Sequence, residues 1–167
     1  LAARFYRHPS RQLHVVGVTG TNGKTTTTRM LESILRSDGR AALAVGNIGV
    51  PLVSVVTGST RYDALAVELG SPQLHSVRSV RAHAATVLNL APDHIDWHGS
   101  FAAYRAAKRV AYDRCESVAV VNADDPQTVT LADEAHLAPG CRTVAFTLGA
   151  PSLGQLGVVD GSLVDRS

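Results

Sequence analysis

The chain has 167 residues, 45% apolar and 18% charged, which suits one domain with its own core and excludes a disordered tail. Its 16 Lys and Arg against 14 Asp and Glu leave a net charge of +2, too weak a bias to announce a nucleic-acid partner. Two cysteines, Cys115 and Cys141, lack metal-ligand spacing, so a disulfide scaffold and a structural zinc site are excluded and a reducing compartment fits.

Residues 1–11 contain no apolar run of the signal-peptide kind, and the missing initiator Met predicts a processed chain or a piece of a longer protein. Residues 13–18 read as a buried strand that runs into a Gly/Thr/Asn turn. Residues 25–36 read as a helix with Met30, Leu31, Ile34 and Leu35 on one side, closed by Gly39. Residues 41–45 read as a second strand. The uncharged stretch 41–60 is too broken by Gly46, Asn47, Gly49, Pro51 and Gly58 to span a membrane; strand, loop and a short helix opened by Pro51 explain it.

Third and fourth strands are expected at 64–69 and 84–90. Ser100 is placed to cap a helix reaching about Tyr112, with Phe101, Tyr104 and Ala107 at helical intervals. A fifth strand at 117–121, a turn Asn-Ala-Asp-Asp-Pro, a helix at 126–136 and a sixth strand at 143–147 follow. Residues 151–157 read as a weakly structured linker, and Asp160-Gly161 between apolar pairs signals a tight hairpin. Strands without polar alternation, separated by helices, predict an α/β fold with a mostly parallel sheet covered on both faces and a C-terminal β-hairpin.

The most informative turn is Gly20-Thr21-Asn22-Gly23-Lys24-Thr25-Thr26, between the first strand and the first helix. Glycines let amides turn onto phosphate oxygens, a helix N-terminus adds partial positive charge, and a lysine reaches the outer phosphates. A hydroxyl after the lysine, here Thr25, can ligate Mg²⁺. The strict pattern has Gly where Val18 stands, and Gly20 supplies the tight turn instead. The expectation is an ATP or GTP site in a three-layer, P-loop NTPase-like domain.

Five segments in order resemble the Mur ligases, the ATP-dependent amide ligases of peptidoglycan precursor synthesis. They are the phosphate loop; Gly46-Asn47-Ile48-Gly49; Glu68-Leu69-Gly70-Ser71-Pro72-Gln73-Leu74; Asn89-Leu90-Ala91-Pro92-Asp93-His94-Ile95-Asp96-Trp97-His98 leading to Tyr104-Arg105-Ala106-Ala107-Lys108; and Asn122-Ala123-Asp124-Asp125. The second and third segments are most similar to the branch that adds D-glutamate to UDP-N-acetylmuramoyl-L-alanine. Phe5-Tyr6-Arg7-His8-Pro9-Ser10, ahead of the first strand, is more like the diamino-acid-adding branch.

The resemblance implies that residues 1–167 are a central ATPase domain, with a uridine-nucleotide domain and a C-terminal domain outside it and its own C-terminal end cut short. The expected chemistry is phosphorylation of the substrate carboxylate by ATP, then attack of an amine on the acyl phosphate. By family position, Gly20, Thr21, Asn22, Gly23, Lys24, Thr25 and Thr26 hold the phosphates and Asn122 meets the adenine edge. Thr25 and Glu68 hold one Mg²⁺, and His94 a second. Lys108 carries CO₂ as a carbamate that also binds Mg²⁺. Lys24, Glu68, His94 and Lys108 are thus the expected catalytic set, and Asn47, Ser71 and Gln73 face the substrate.

Asp93 and Asp96 read more simply as a helix cap and a surface or supporting partner, and Asp124 and Asp125 as turn formers. The third segment departs from the family's Glu-x-Ser-Ser-Phe-Gln-Leu at Gly70 and Pro72, which bears on substrate recognition. A cytoplasmic monomer without nucleic-acid or membrane partners is expected, inactive as an isolated piece. A diamino-acid-adding or folylpolyglutamate synthetase-like enzyme remains open, as does a nucleotide-binding module that catalyses nothing.

Overall fold

The computed structural model describes residues 13–77 and 80–167, so the 5–10 lead-in lies outside the described residues. The elements are β1 (His14–Thr19), α1 (Lys24–Ser37), β2 (Ala42–Gly46), α2 (Leu52–Thr57), β3 (Ala64–Glu68), α3 (Ser71–Ser76) and β4 (Ala84–Val87). There follow α4 (Ile95–His98), α5 (Phe101–Arg109), β5 (Val118–Asn122), α6 (Pro126–Asp133), β6 (Arg142–Phe146), β7 (Gln155–Val159) and β8 (Ser162–Asp165).

All eight strands join one sheet in the order β2-β3-β1-β4-β5-β6-β7-β8, parallel except for the β7–β8 hairpin. Every residue of β3 is buried, which a sheet achieves only when both faces are covered. One core gathers Leu74, Val87, Tyr104, Tyr112 and Leu131, and a smaller one Val15, Val45, Leu65 and Val67. From β1 the chain goes to β2 and β3 on one side, then crosses to β4 and β5 on the other. The loops after β1, β3 and β4 therefore leave neighbouring carboxyl ends, where open parallel sheets bind ligands.

The expected elements are all present, with instructive shifts. The expected apolar side of α1 is only partly its inner side: Leu31 and Leu35 are half-buried, but Met30 and Ile34 are 59% and 62% exposed, while Thr28 and Glu32 are buried. The phase of α1 is set in its first turn, where Thr25 reaches Glu68, and residues 28 and 32 share that face. Thr28 Oγ1 donates to Lys24 O at 2.8 Å, and Glu32 sits 3.5 Å from Arg29 and 3.8 Å from Arg36. Both polar groups are thereby satisfied in burial.

α5 stops at Arg109 rather than near Tyr112, because Tyr112 turns in to bridge two strands. Its hydroxyl accepts from Val87 N–H at 3.0 Å and donates to Val120 O at 2.8 Å. The expected Ser100 cap is present: Ser100 Oγ accepts from Ala103 N–H at 3.1 Å. The expected linker is partly strand, since Gln155 and Leu156 pair with β6. Asp160 and Gly161 have φ of 49° and 74°, the left-handed pair that a two-residue hairpin needs. Among the described residues no helix is long and apolar enough to cross a membrane.

Candidate nucleotide and metal site

The phosphate loop takes the shape its glycines allow. Gly20 (φ 149°) and Gly23 (φ 82°) adopt conformations that side chains disfavour, and a Cβ on Gly20 would press on Leu88 and Asn89. Gly23 precedes α1 with no side chain to cap it, so the first amides of the helix are left for an anion. Thr26 lies exposed in that first turn. Lys24 folds back, its Nζ donating to Thr21 O at 2.8 Å.

Beside the loop, Thr25 Oγ1 donates to Glu68 Oε2 at 2.8 Å and Asn47 Nδ2 donates to Glu68 Oε1 at 3.1 Å. Glu68 ends β3 and is 2% exposed. Gly46 (φ 104°) permits this closeness: a Cβ there would collide with Glu68 O, which accepts from Asn47 N–H at 2.9 Å. The Glu68 carboxylate and the Thr25 hydroxyl thus meet at one strand end, hard oxygens of the kind Mg²⁺ takes, with the Asn47 amide orienting the carboxylate through its N–H. Among the described residues, no three or more His, Cys, Asp or Glu side chains gather as a metal centre.

Lys108 is the unusual group. It is 2% exposed, and its Nζ donates to Thr19 Oγ1 at 3.0 Å and Gly20 O at 2.8 Å. Burial and the neighbouring Lys24 charge lower its pKa to about 7, against the opposing pull of Asp93 and Glu68. Its ammonium also lies 5.2 Å from the centre of the Tyr104 ring. The lysine is therefore partly neutral near neutral pH, which a solvated helix lysine is not.

His94 is exposed in a left-handed conformation (φ 51°), with Nε2 3.4 Å from Asp93 Oδ2. It is also the residue before α4, so Asp93 does not cap the helix as expected; Asp93 Oδ1 instead accepts from His94 N–H at 2.9 Å. Ser71 Oγ is buried without a hydrogen-bond partner among the described residues, whereas Gln73 Oε1 is engaged by Gly70 N–H at 2.9 Å. Gly70 has φ −75° and ψ 152°, which any residue adopts, and Pro72 fits the first turn of α3. Both departures are therefore compatible with the local backbone.

Asn122 Nδ2 donates to Leu88 O at 2.9 Å and its Oδ1 accepts from Asp124 N–H at 2.9 Å. Its amide already ties β5 to the end of β4. The expected turn role of the acidic pair holds: Asp125 caps α6 through Gln127 N–H and accepts from Leu90 N–H at 2.7 Å, while Asp124 accepts from Thr147 and Leu148.

Two residues without an assigned role shape the loop. Asn89 pins Asn22 at both backbone ends, accepting from Asn22 N–H at 2.8 Å and donating to Asn22 O at 3.1 Å. Tyr104, fully buried, meets Thr21 Oγ1 through its hydroxyl at 3.0 Å. Both fall inside segments that carried the resemblance, but each acts across 67 or 83 residues, a distance no local pattern reports. Next to Tyr104, His98 packs edge-on at 5.4 Å, its pKa lowered by burial and by His75, His94 and Lys108.

The comparisons with known proteins agree with this geometry. The family model of the Mur ligase middle domain matches residues 18–156. UDP-N-acetylmuramoylalanine--D-glutamate ligase of Streptomyces coelicolor is 56% identical over 152 residues, covering 91% of this chain and 32% of that protein. The ligase of the same name from Thermobifida fusca is 52% identical over 154 residues, covering 91% and 33%. The chain thus spans about a third of the length of the curated relatives it matches. These names side with the D-glutamate-adding branch that the two site segments indicated.

In three dimensions, a UDP-N-acetylmuramoyl-L-alanyl-D-glutamate--2,6-diaminopimelate ligase superposes with a TM-score of 0.79 at 20% identity, over 95% of this chain and 38% of that one. MurF ligase from Thermotoga maritima, solved in complex with ADP, gives 0.69 at 22% identity, over 97% and 40%. At such identities the likeness concerns the fold. Family model, relatives and site geometry converge: the chain belongs to the Mur ligase middle-domain family.

Proposed function

We propose that this chain is the ATP-binding central unit of a ligase that joins D-glutamate to UDP-N-acetylmuramoyl-L-alanine in peptidoglycan precursor synthesis. The observation that carries the reading is the meeting of Lys24, Thr25, Glu68 and Lys108 around one phosphate loop. In this reading residues 1–167 form the ATPase domain, and flanking domains bind the uridine nucleotide and bring in the amino acid.

The amides of residues 23–26 and the Lys24 ammonium would hold the β- and γ-phosphates, with Lys24 leaving Thr21 O and the Asn22 amide leaving Asn89 to join them. Thr25 and Glu68 fit one Mg²⁺ through hard oxygens, and His94 with a carbamate on Lys108 would hold a second. Bound Mg²⁺ would neutralise charge on the transferring phosphoryl group. Lys108 fits CO₂ because its amine is buried and partly neutral. Asn47 and Ser71 would orient the substrate, with the unpartnered Ser71 Oγ supporting its part, and Gln73 by its motif place. Asn122 would present its remaining amide hydrogen to adenine. The same reading makes the enzyme a cytoplasmic monomer without nucleic-acid or membrane partners.

Calorimetric titration of the chain with ATP and Mg²⁺, beside Lys24→Ala, tests the site. Saturable binding that the variant loses supports the reading; no binding by folded chain sinks it. Joining the chain to the flanking domains of a relative then separates a ligase from a mere binding module. D-glutamate-dependent phosphate release is expected, and binding without release would favour the module.

A further inference from the structure

We propose that Tyr104 is a positioning residue that keeps the phosphate loop in register once Lys108 carries CO₂. The proposal rests on the carbamate reading above. Tyr104 and Lys108 stand one turn apart on α5 and so share a face. Together they reach three consecutive residues where β1 runs into the loop: Lys108 Nζ donates to Thr19 Oγ1 and Gly20 O, and the Tyr104 hydroxyl meets Thr21 Oγ1. The Thr21 carbonyl in turn holds Lys24 Nζ. Thr21 Oγ1 also exchanges bonds with the backbone of Ala91, at 3.1 Å to O and 2.9 Å from N–H. Tyr104 therefore sits between the helix that carries one reactive lysine and the loop that carries the other.

Carbamate formation changes this balance by simple valence. Neutral Lys108 adds to CO₂: an Nζ–C bond forms, one C=O π bond opens to a carboxylate, and one proton leaves Nζ for solvent. The nitrogen then keeps a single N–H. It can serve Thr19 or Gly20 but not both, so one of the two anchors from Lys108 to the loop is given up. The Tyr104–Thr21 bond becomes the anchor that remains whole, held by a ring that is fully buried and walled by Phe101 and His98.

The test uses the chain itself, with Mg²⁺-ADP as probe. Its affinity is measured by calorimetry with and without bicarbonate, for wild type and Tyr104→Phe, while ¹³C NMR with labelled bicarbonate reads the carbamate directly. Expected is a loss of about three- to tenfold in the variant with bicarbonate and a clearly smaller loss without it. Equal losses in both conditions, or none, would overturn the positioning role while leaving the carbamate reading intact. A wild type that shows no carbamate carbon signal overturns both. Should Tyr104→Phe fail to fold, Thr21→Val removes the other hydroxyl of the pair and must show the same bicarbonate-dependent loss.

Discussion

Lys24 and Lys108 serve one loop from two unlike places. Lys24 opens α1 beside its own loop, half-buried, bonded three residues away. Lys108 lies mid-helix, fully buried, and bonds to the end of a strand 88 and 89 residues earlier. The first environment holds its lysine at the helix start, beside the loop amides; the second removes solvent from an amine and brings it toward neutrality. Identical side chains thus acquire different chemistry, chiefly from burial and in smaller part from the Lys24 charge beside Lys108.

The largest expected effect is at the half-buried partner. Lys24→Ala should weaken Mg²⁺-ATP binding by about tenfold to a hundredfold, the worth of a charge-assisted bond, as read by calorimetry. An unchanged affinity would remove Lys24 from the site. Glu68→Gln comes next: keeping shape but losing charge, it should abolish most of the Mg²⁺ dependence of nucleotide binding, measured by titrating Mg²⁺ at fixed ADP.

The buried partner should reveal itself through pH. Between about pH 7 and 10.5 the unfolded chain holds a proton on Lys108 that the folded chain has lost. Stability contributed at this site therefore rises with pH across that window, and the full burial penalty is present below it. Denaturation of wild type and Lys108→Met should give a stability difference that shifts in favour of wild type by up to about 1.4 kcal/mol per pH unit. A difference independent of pH would mean that Lys108 titrates like a surface lysine.

Smaller effects sharpen the contrast. Asn89→Ala should cost about 1 kcal/mol of nucleotide affinity by freeing Asn22, with little change in the pH behaviour of Lys108. Gly70→Ser should be close to neutral for stability, within about 0.5 kcal/mol, because its backbone is unstrained and the new Cβ would meet Gln73 and Asn47 no closer than 3.4 Å. A marked loss of stability would show that Gly70 is needed by the fold itself.

Local pattern carried the strands, the phosphate loop and the hairpin, because each is written in neighbouring residues. Glycines at 20, 23 and 161 stand where φ is positive, and buried strands read as unbroken apolar runs. The pattern misled where a distant partner decides. Met30 and Ile34 look like core until Thr25 fixes the rotation of α1 on Glu68, and Tyr112 looks helical until its hydroxyl is needed between β4 and β5. Hydrophobic periodicity reports which side chains dislike water, but not which face a bonded first turn will select.

By itself, then, the sequence determined the α/β order, the nucleotide loop and the identities of Glu68 and Lys108 as candidates. Only the tertiary structure decided that Glu68 is clasped by Thr25 and Asn47, that Asn89 and Tyr104 hold the loop, and that Lys108 is dry enough to lose its proton. The physical reason is common to all three. Hydrogen bonds between remote residues and removal of solvent arise only when strand ends far apart in the chain are brought side by side.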